Sequence, residues 1–312
     1  MTFSIVALDS VTGDLGVAVQ SKFLAVGAVV PWARAGVGAV ATQAFANVAY
    51  GVDGLGLLDS GLDAEATLAR LVETDDLRDQ RQAGIVDARG GAASHTGRHC
   101  FAWAGGRTGA DFAAQGNILA GPAVVDGLAD TFLAGGGAFP ELLVACLAAA
   151  DAEGGDRRGR ESASLLVVRA GGGYGGTNDR WIDLRVDHHG DPIGELGRLL
   201  DLQRLYFERP AEGDLEPLDE ATAAEIRSRL EAIGAAPGGR FAAVYVPMSG
   251  PDDRDPEPRP SVGEPRPLPA NWDSAWQQAL DDWMAVENLE ERAAAPGWID
   301  PRVLAILRAR RA

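Results

Sequence analysis

The residue with the most direct chemical potential is Thr2, which directly follows Met1. Methionine is normally removed when the next residue is small, and removal would leave Thr2 with a free α-amino group beside its own hydroxyl. Such an amine, with an ordinary pKa of about 7.7–8.0, can act as the general base for that hydroxyl. Thr2 could therefore supply both nucleophile and base, or it could be an ordinary strand residue.

The segment around Thr2 has the pattern of a β-hairpin. Residues 2–8 (TFSIVAL) are β-branched, aromatic and apolar, which predicts a strand, and DSVTGD supplies turn residues. The return strand is LGVAVQS at 15–21. Its last residue, Ser21, should come within reach of Thr2. Because neighbouring strand residues face opposite ways, Ser21 and Lys22 cannot both point toward Thr2.

The rest of the chain up to residue 210 contains more strand and helix patterns. Strands are predicted at 25–33 and 36–45, and hairpins at 81–97 and 162–186. Helices are predicted at 64–73, 121–134, 139–150 and 190–209. This order lacks the strict alternation of a parallel α/β fold. It predicts an α+β fold in which two antiparallel sheets pack between helical layers, a four-layer αββα sandwich over residues 1–210.

The composition shifts after Pro210. Helices are predicted at 216–237, 272–293 and 300–311, and a Pro-rich, charged insert at about 248–269 separates the first two. Residues 211–312 therefore form a small helical domain in this interpretation.

The charge and the cysteine content indicate which partners and which cellular compartment to expect. The net charge of −17 argues against nucleic acid and anionic membrane surfaces as partners, because both require clustered basic residues. Two cysteines, Cys100 and Cys146, cannot build a disulfide framework and favour a reducing compartment. No signal-peptide pattern precedes the first strand, and no apolar run approaches the roughly 18 residues of a membrane span. We expect a cytoplasmic protein with no membrane partner.

Several motifs occur in order along the chain: MTFSIVALDSVTGDLGVAVQSKFLAVGAVVPWARAGVGAVATQAFA, QGNIL, GGDRRGRESASLLVV and DLRVDHH. They resemble an uncharacterised family, number one thousand and twenty-eight among the domains of unknown function, over about residues 2–207. Its members look like N-terminal-nucleophile hydrolases, which share the αββα sandwich. The resemblance implies hydrolysis of a small amide or peptide-like substrate through Thr2, without a cofactor, and a homo-oligomer, expected as a dimer.

The chain also resembles a proteasome β-subunit, in which a helix leads through an Asp into a Ser-bearing strand. The corresponding stretch is CLAAADAEGGDRRGRESASLLVV. By this resemblance Asp156 and Ser162 lie near the Thr2 amine, where an acceptor would orient and tune it. Alternatively, Asp156 pairs with a neighbouring arginine in a solvated turn. Proteasome-like members commonly place a lysine near the nucleophile; Arg34 is another possible cation and a candidate for binding substrate.

Amide hydrolysis also needs hydrogen-bond donors for an oxyanion. Gln43, in ATQAF at the end of an apolar strand, is one candidate, through its side-chain amide or through nearby backbone N–H groups. Asn117, in QGN before an apolar run, is a second. Each could equally make ordinary loop or strand-edge hydrogen bonds.

Three other patterns are weaker indications of a ligand site. GGGYGG at 171–176 lacks a surrounding βαβ unit and is interpreted as a hairpin turn rather than a nucleotide loop. His95, His99 and Cys100 lack a second ligand pair of zinc-site spacing, so no metal is predicted. DHHGD at 187–191 is interpreted as a polar loop before a helix rather than a cation site.

The C-terminal stretch SAWQQALDDWMAVENLEERAAAPGWIDPRVLAIL resembles a peptidoglycan-binding domain. Trp276 and Trp283 are the candidate glycan contacts, although the same tryptophans could form the core of a small helical bundle.

Two functions remain open at this point. One is an amidohydrolase acting through Thr2, and the other is a non-catalytic αββα scaffold that binds a wall fragment or another small molecule.

Overall fold

The computed structural model describes residues 2–242 and 261–310, and the chain divides into two compact units, 1–200 and 201–312. The division falls inside a helix, Pro192–Phe207, whereas the sequence predicts a domain boundary at residue 210. Each unit is built around its own apolar core. Within the described ranges, no helix is both long enough and apolar enough to cross a membrane.

The N-terminal unit contains two antiparallel sheets. The larger has the strand order β10-β9-β2-β1-β8-β7, with β1 Thr2–Leu8, β2 Leu15–Ser21, β7 Gly105–Gly109, β8 Phe112–Asn117, β9 Ser162–Val168 and β10 Arg180–Val186. The smaller has the order β3-β4-β5-β6, with β3 Pro31–Arg34, β4 Gly38–Ala44, β5 Arg81–Asp87 and β6 Ala92–Thr96. Thr2 therefore begins a central strand that is paired on both sides.

Every residue of β1 is buried, because successive side chains point to opposite faces of the sheet and both faces are covered. Phe3, Ile5 and Ala7 pack against helices α3 (Ala123–Ala134) and α4 (Phe139–Ala152) in one apolar cluster. Val6 and Leu8 belong to a second cluster, which includes residues of both sheets. Thr2 has the parity of Val6, so its side chain faces the smaller sheet.

A third apolar cluster joins the smaller sheet to helices α1 (Ala49–Asp59) and α2 (Ala64–Glu73). Asp63 caps α2 by accepting a hydrogen bond from the Ala66 N–H, as its position before the apolar pattern predicts. The predicted antiparallel sheets, with helices packed on them, are confirmed as a mixed fold of strands and helices.

Three local features differ from the sequence-based expectations. No strand is predicted between residues 97 and 121, but β7 and β8 form a hairpin there and β8 pairs with β1. The run 25–33 does not form one strand: Ala25 adopts a left-handed φ of 53°, a short 3-10 turn follows at Val26–Ala28, and β3 begins only at Pro31. Helix α1 was not predicted at all. Its glycines permit close packing, since a Cβ at Gly51 would lie 2.2 Å from the Trp32 ring.

The C-terminal unit is helical, as predicted. Helices α6 (Glu220–Ala232), α7 (Ser274–Val286) and α8 (Pro301–Ala309) follow α5 (Pro192–Phe207), with a two-residue strand pair of β11 (Glu216–Pro217) and β12 (Trp298–Ile299). Each of α6, α7 and α8 begins with an aspartate cap. Residues 248–260 of the predicted Pro-rich insert lie outside the described residues.

Candidate active site

Four polar side chains form a row across the larger sheet. The register places Ser21 and Asn117 directly opposite Thr2 on its two neighbouring strands, and Ser162 directly opposite Ser21. Residues directly opposite one another in an antiparallel sheet point to the same face. All four are buried, and Thr2 retains 5% of its surface exposed. The row therefore lies at the end of the inter-sheet core, in a place usually filled by apolar residues.

The Thr2 hydroxyl is held by its neighbour on β2. Thr2 Oγ1 lies 3.1 Å from Ser21 Oγ, within hydrogen-bond distance. Ser21 Oγ in turn accepts a hydrogen bond from the Phe23 N–H at 3.0 Å. Ser21 thus has a fixed orientation and can fix the rotamer of Thr2. The sequence-based expectation that Ser21 lies within reach of Thr2 is confirmed.

A second polar row on the smaller sheet faces the first. Gln43, Gln82 and Thr96 are opposite one another on β4, β5 and β6. Gln82 Oε1 accepts hydrogen bonds from Gln43 Nε2 and from Asn117 Nδ2, both at 2.9 Å. Gln82 therefore joins the two rows. Gln82 was not predicted as a site residue, although it is a polar residue on the inward face of a strand.

Gln43 and Asn117 differ in their capacity to bind an oxyanion. The Gln43 amide donates to Gln82 and approaches two backbone carbonyls, including that of Thr2, at 3.4 Å. Those protein acceptors occupy both amide hydrogens, so Gln43 positions the Thr2 backbone. Asn117 Nδ2 donates to Gln82 alone among the described residues, which leaves one hydrogen available. Asn117 is therefore the stronger candidate as an oxyanion donor.

Asp156 lies between the ends of β2 and β8. Its carboxylate accepts hydrogen bonds from the N–H groups of Lys22, at 3.0 Å, and Arg158, at 2.8 Å. The Arg158 guanidinium is 3.5 Å from the same carboxylate, whose side chain has no exposed surface. Asp156 also forms a backbone bridge with Leu119. Asp156 therefore pairs with an arginine, as one sequence alternative expects, although its carboxylate is buried rather than solvated. The other alternative, that Asp156 lies near the Thr2 amine, stays a prediction.

Ser162 completes the row but does not bond to Thr2. Its Oγ accepts a hydrogen bond from the Val26 N–H at 3.1 Å and donates to the Phe23 carbonyl. The hydroxyl thus holds the loop that follows β2. Its role in the structure is to keep that loop against the sheet.

The predicted cations are not near Thr2. Arg34 pairs with Gly38, at the far end of β4 from Gln43, and its guanidinium bonds to Asp59. The prediction that Arg34 binds substrate beside Thr2 is therefore corrected, because a strand length separates them. Lys22 points away from the row to Glu161, 2.6 Å from its Nζ, as strand alternation requires.

The two candidate glycan contacts lie in the C-terminal unit. Trp283 is fully buried in its core and offers no face to a sugar ring, so this prediction is corrected for Trp283. Trp276 is only partly buried, and the Arg227 guanidinium stacks 4.6 Å from its ring centroid.

A cavity of about 460 Å³ adjoins the polar row at Asn117. Ala44 and Ile118 line it, and each directly follows a residue of the two polar rows, Gln43 or Asn117. Both have a left-handed backbone, with φ of 69° and 54°. Such a conformation is unusual for alanine and strained for a β-branched residue, and strain of this kind concentrates at functional sites.

The wall of the cavity is braced by a buried ion pair. Arg81 Nε donates to Asp75 at 2.8 Å, and Arg81 also binds the carbonyl of Phe45, a lining residue. Burial alone would raise the pKa of the Asp75 carboxyl. Hydrogen bonds from Arg81, the Leu77 N–H and Asn47 instead hold that pKa well below its usual range.

Metal-ligand clusters and the Cys100 thiol are the other features that bear on the chemistry of this region. Over the described ranges, no group of three or more His, Cys, Asp or Glu residues could hold a metal ion. Cys100 lines the cavity, but burial raises the pKa of its thiol, and its Sγ donates to the Arg81 carbonyl. A protonated thiol is a poor nucleophile. The Thr2 hydroxyl remains the candidate nucleophile.

Comparison with known proteins assigns the chain to a family without assigning it an activity. Residues 265–307 match a family described as "Putative peptidoglycan binding domain". The crystal structure of protein SPO2555 from Silicibacter pomeroyi, itself described as DUF1028, is similar with a TM-score of 0.60 and 31% identity, covering 65% of this chain and 86% of that one. No curated protein matches. Residues 2–196 match the family of unknown function DUF1028, and the chain therefore belongs to that family.

Proposed function

We propose that the N-terminal unit is an N-terminal-nucleophile amidohydrolase that cleaves a small amide or peptide-like substrate through Thr2. One observation carries the proposal: Thr2 begins a central strand, and its hydroxyl lies in a buried polar row beside a cavity. Buried polar groups need hydrogen-bond partners where apolar residues need none, so a hydrogen-bonded polar row in place of apolar residues at this end of the core supports a function for it.

The proposed fold is the four-layer αββα sandwich that such enzymes share. It is supported by the three successive apolar clusters, which join α3 and α4 to the larger sheet, the larger sheet to the smaller, and the smaller sheet to α1 and α2.

The proposed reaction requires removal of Met1, which frees the Thr2 amine. That amine takes the proton from Thr2 Oγ1 as the oxygen attacks the carbonyl carbon of the substrate. The oxyanion that forms accepts a hydrogen bond from Asn117 Nδ2, while Ser21 holds the nucleophile in orientation. The C–N bond then breaks, and the leaving amine takes the proton from the Thr2 ammonium. The Thr2 amine, now neutral again, takes a proton from water as the water oxygen attacks the ester carbonyl. The acyl product leaves as a carboxylic acid, and Thr2 Oγ1 recovers a proton from the Thr2 ammonium.

The test combines intact-mass spectrometry with hydrolysis assays on amide and N-acyl amino-acid libraries. We expect the purified protein to lack Met1, Thr2→Ser to keep partial activity, and Thr2→Val to fold but be inactive. Thr2→Val keeps the shape and β-propensity of threonine and removes only the hydroxyl. Methionine retained in all molecules, or a fully active Thr2→Val variant, would refute the mechanism.

For the C-terminal unit we propose binding of a peptidoglycan fragment, supported by the family match over 265–307 and by the partly exposed Trp276. A titration with soluble muropeptides, followed by tryptophan fluorescence, tests it. Trp276→Leu should lose binding while the unit stays folded; unchanged affinity would contradict a role for Trp276.

We also propose that the protein forms a homodimer. Support comes from exposed apolar side chains on the loop after β2, where Phe23 and Leu24 are 55% and 60% exposed. Light scattering at micromolar concentration tests this, and a monomer would contradict it.

A further inference from the structure

The Gln82 side chain can adopt only one orientation in the core between the two sheets. Its Nε2 lies 2.7 Å from the Gly116 carbonyl, 3.2 Å from the Gly105 carbonyl and 2.9 Å from Thr96 Oγ1. A backbone carbonyl can accept a hydrogen bond but cannot donate one. The Gln82 nitrogen must therefore face these groups, and its Oε1 must face the opposite way.

The orientation of Gln82 in turn determines that of the Asn117 amide. Gln82 Oε1 lies 2.9 Å from Asn117 Nδ2. If the Asn117 amide exchanged its oxygen and nitrogen by rotation, Asn117 Oδ1 would face Gln82 Oε1, and neither atom carries a hydrogen. Asn117 is only 2% exposed, so water has little access to relieve such a contact. The Asn117 nitrogen is therefore held toward Gln82.

The neighbouring hydrogen bonds require the same orientation of Gln82. Gln43 Nε2 donates to Gln82 Oε1 at 2.9 Å, and Gln43 Oε1 accepts from Ser4 Oγ at 2.7 Å. Ser4 Oγ accepts in turn from Gln115 Nε2 at 2.8 Å. Each donor in this series meets an acceptor, and reversing Gln82 would leave Gln43 and Asn117 with their donors against its nitrogen. Groups on both sheets thus fix the direction of the Asn117 amide.

Asn117, but not Gln82, is in a position to contact a bound molecule. Asn117 lies directly opposite Thr2 on the neighbouring strand and lines the cavity. Side chains in such a pair start from Cβ atoms about 4.5–5.5 Å apart. Gln82 belongs to the smaller sheet and is not among the residues that line the cavity. Any effect of Gln82 on a bound molecule must therefore pass through Asn117.

We propose that Gln82 is a positioning residue, which holds the Asn117 amide so that it presents an N–H, and not its oxygen, to the oxyanion formed at Thr2. Without Gln82, the Asn117 amide is free to rotate, and its partly negative Oδ1 can then face the oxyanion and destabilise it. The use of Asn117 in catalysis rests on the proposed function. The orientation of Asn117 by Gln82 does not, and it can be measured without turnover.

The first test measures hydrogen exchange of the Asn117 side-chain amide by NMR, in full-length protein labelled with ¹⁵N-asparagine. The resonances of this amide are identified by their absence in Asn117→Ala. We expect Gln82→Met to accelerate their exchange about five- to tenfold, as loss of one hydrogen bond predicts. Gln20→Met is the matched control, because Gln20 is also fully buried but lies opposite Phe3, on the face toward α3 and α4. It should leave the exchange unchanged.

The second test is a double-mutant cycle on the library amide that wild-type protein hydrolyses fastest, with folding of each variant checked by circular dichroism. Asn117→Ala should lower kcat by about 10²–10³-fold, the usual cost of removing one oxyanion donor. Gln82→Met should lower kcat at least about tenfold and leave KM within about twofold, because the oxyanion exists only after attack. In the Asn117→Ala background, Gln82→Met should lower kcat by less than about twofold.

A merely structural role for Gln82 would give a different result, since Gln82→Met would then lower kcat equally in both backgrounds. That result, or unchanged exchange of the Asn117 amide in Gln82→Met, would overturn the inference. If Asn117→Ala keeps full activity while Thr2→Val is inactive, the positioning role fails and the proposed function stands. If wild-type protein hydrolyses no library amide, the proposed function fails together with any catalytic use of Asn117, and the exchange rates still decide whether Gln82 orients that amide.

Discussion

Replacing Gln82 with methionine tests whether the two polar rows form one network. Methionine has a similar length and volume, so the change removes the amide with little change in packing. Gln82 is fully buried, and its Nε2 donates to the Gly116 carbonyl at 2.7 Å and to Thr96 Oγ1 at 2.9 Å. Its Oε1 accepts from Gln43 and Asn117. Gln82 Nε2 also lies 3.2 Å from the Gly105 carbonyl, so a single substitution removes a partner from five groups.

The loss of the hydrogen bond to Gln82 does not cost the five groups equally; the Gly105 carbonyl, like Thr96, is only partly buried and can bond to water. Gln43 keeps its contacts with two backbone carbonyls, and Thr96 is only partly buried, so water can replace the lost bond. The Asn117 amide and the Gly116 carbonyl are buried and lose this partner outright. An unsatisfied buried polar group such as the Asn117 amide costs about 1–3 kcal/mol, and the lost second hydrogen bond of the Gly116 carbonyl, which stays between two paired strands, costs about 0.5–1.5 kcal/mol more. Burial of the less polar methionine offsets part of this, and we expect a net loss of about 2 kcal/mol.

The assay is urea unfolding followed by circular dichroism, with the free energy of unfolding extrapolated to water. Gln80→Met is the control, because the Gln80 side chain makes no hydrogen bond to the described residues and is only partly buried. That change should cost less than about 0.5 kcal/mol, the usual range for surface substitutions. A cost below about 1 kcal/mol for Gln82→Met would show that the rows are not coupled as described.

Two further predictions concern the same unit. Gly84→Ala should lower the free energy of unfolding in urea by about 1–3 kcal/mol, because a Cβ there would lie 2.0 Å from Gln115 Oε1. Gly56→Ala is the control, since its Cβ would have no atom within 4 Å, and it should be neutral or stabilising. Equal effects of the two changes would contradict the close approach of Gly84 to Gln115. The depressed pKa of Asp75 gives stability that is present above its unfolded value and is lost as pH falls through the folded value. Arg81→Met should therefore reduce stability at pH 7 and weaken its acid dependence below about pH 4; an unchanged dependence on pH would contradict this.

Local patterns predict much of the N-terminal hairpin but little of the segment after Ser21. Residues 2–21 alternate and contain a turn sequence, so strand and register follow from neighbouring residues. The next turn depends on Ser162, whose hydroxyl binds Val26 from 136 positions away. The stretch 25–33 contains three valines and a tryptophan, which favour a strand, and nothing in it indicates the hydrogen bond to Ser162.

Helix α1 was missed for a different reason. Its sequence, AYGVDGLGLLD, contains three glycines, each of which is unfavourable in a helix interior by about 1 kcal/mol relative to alanine. Tertiary packing compensates, because Gly51 allows the helix to contact Trp32, and Gly54 allows contact with Leu71. Propensity alone therefore points away from the helix, and only the packed sheet explains it.

In the candidate site, too, neighbouring residues predict one position and contacts between distant segments determine another. Ser21 could be placed near Thr2 because the pairing of a hairpin is local. Gln82 could not be placed, because its role depends on how two sheets face each other. A signal was nonetheless present: Gln43, Gln82 and Gln115 are polar residues on the inward faces of otherwise apolar strands, and all three are buried. Buried amides require hydrogen-bond partners, so three such residues imply that they bond within one shared network. Reading inward-facing glutamines as a set, rather than singly, would have connected Gln82 to the residues around Thr2.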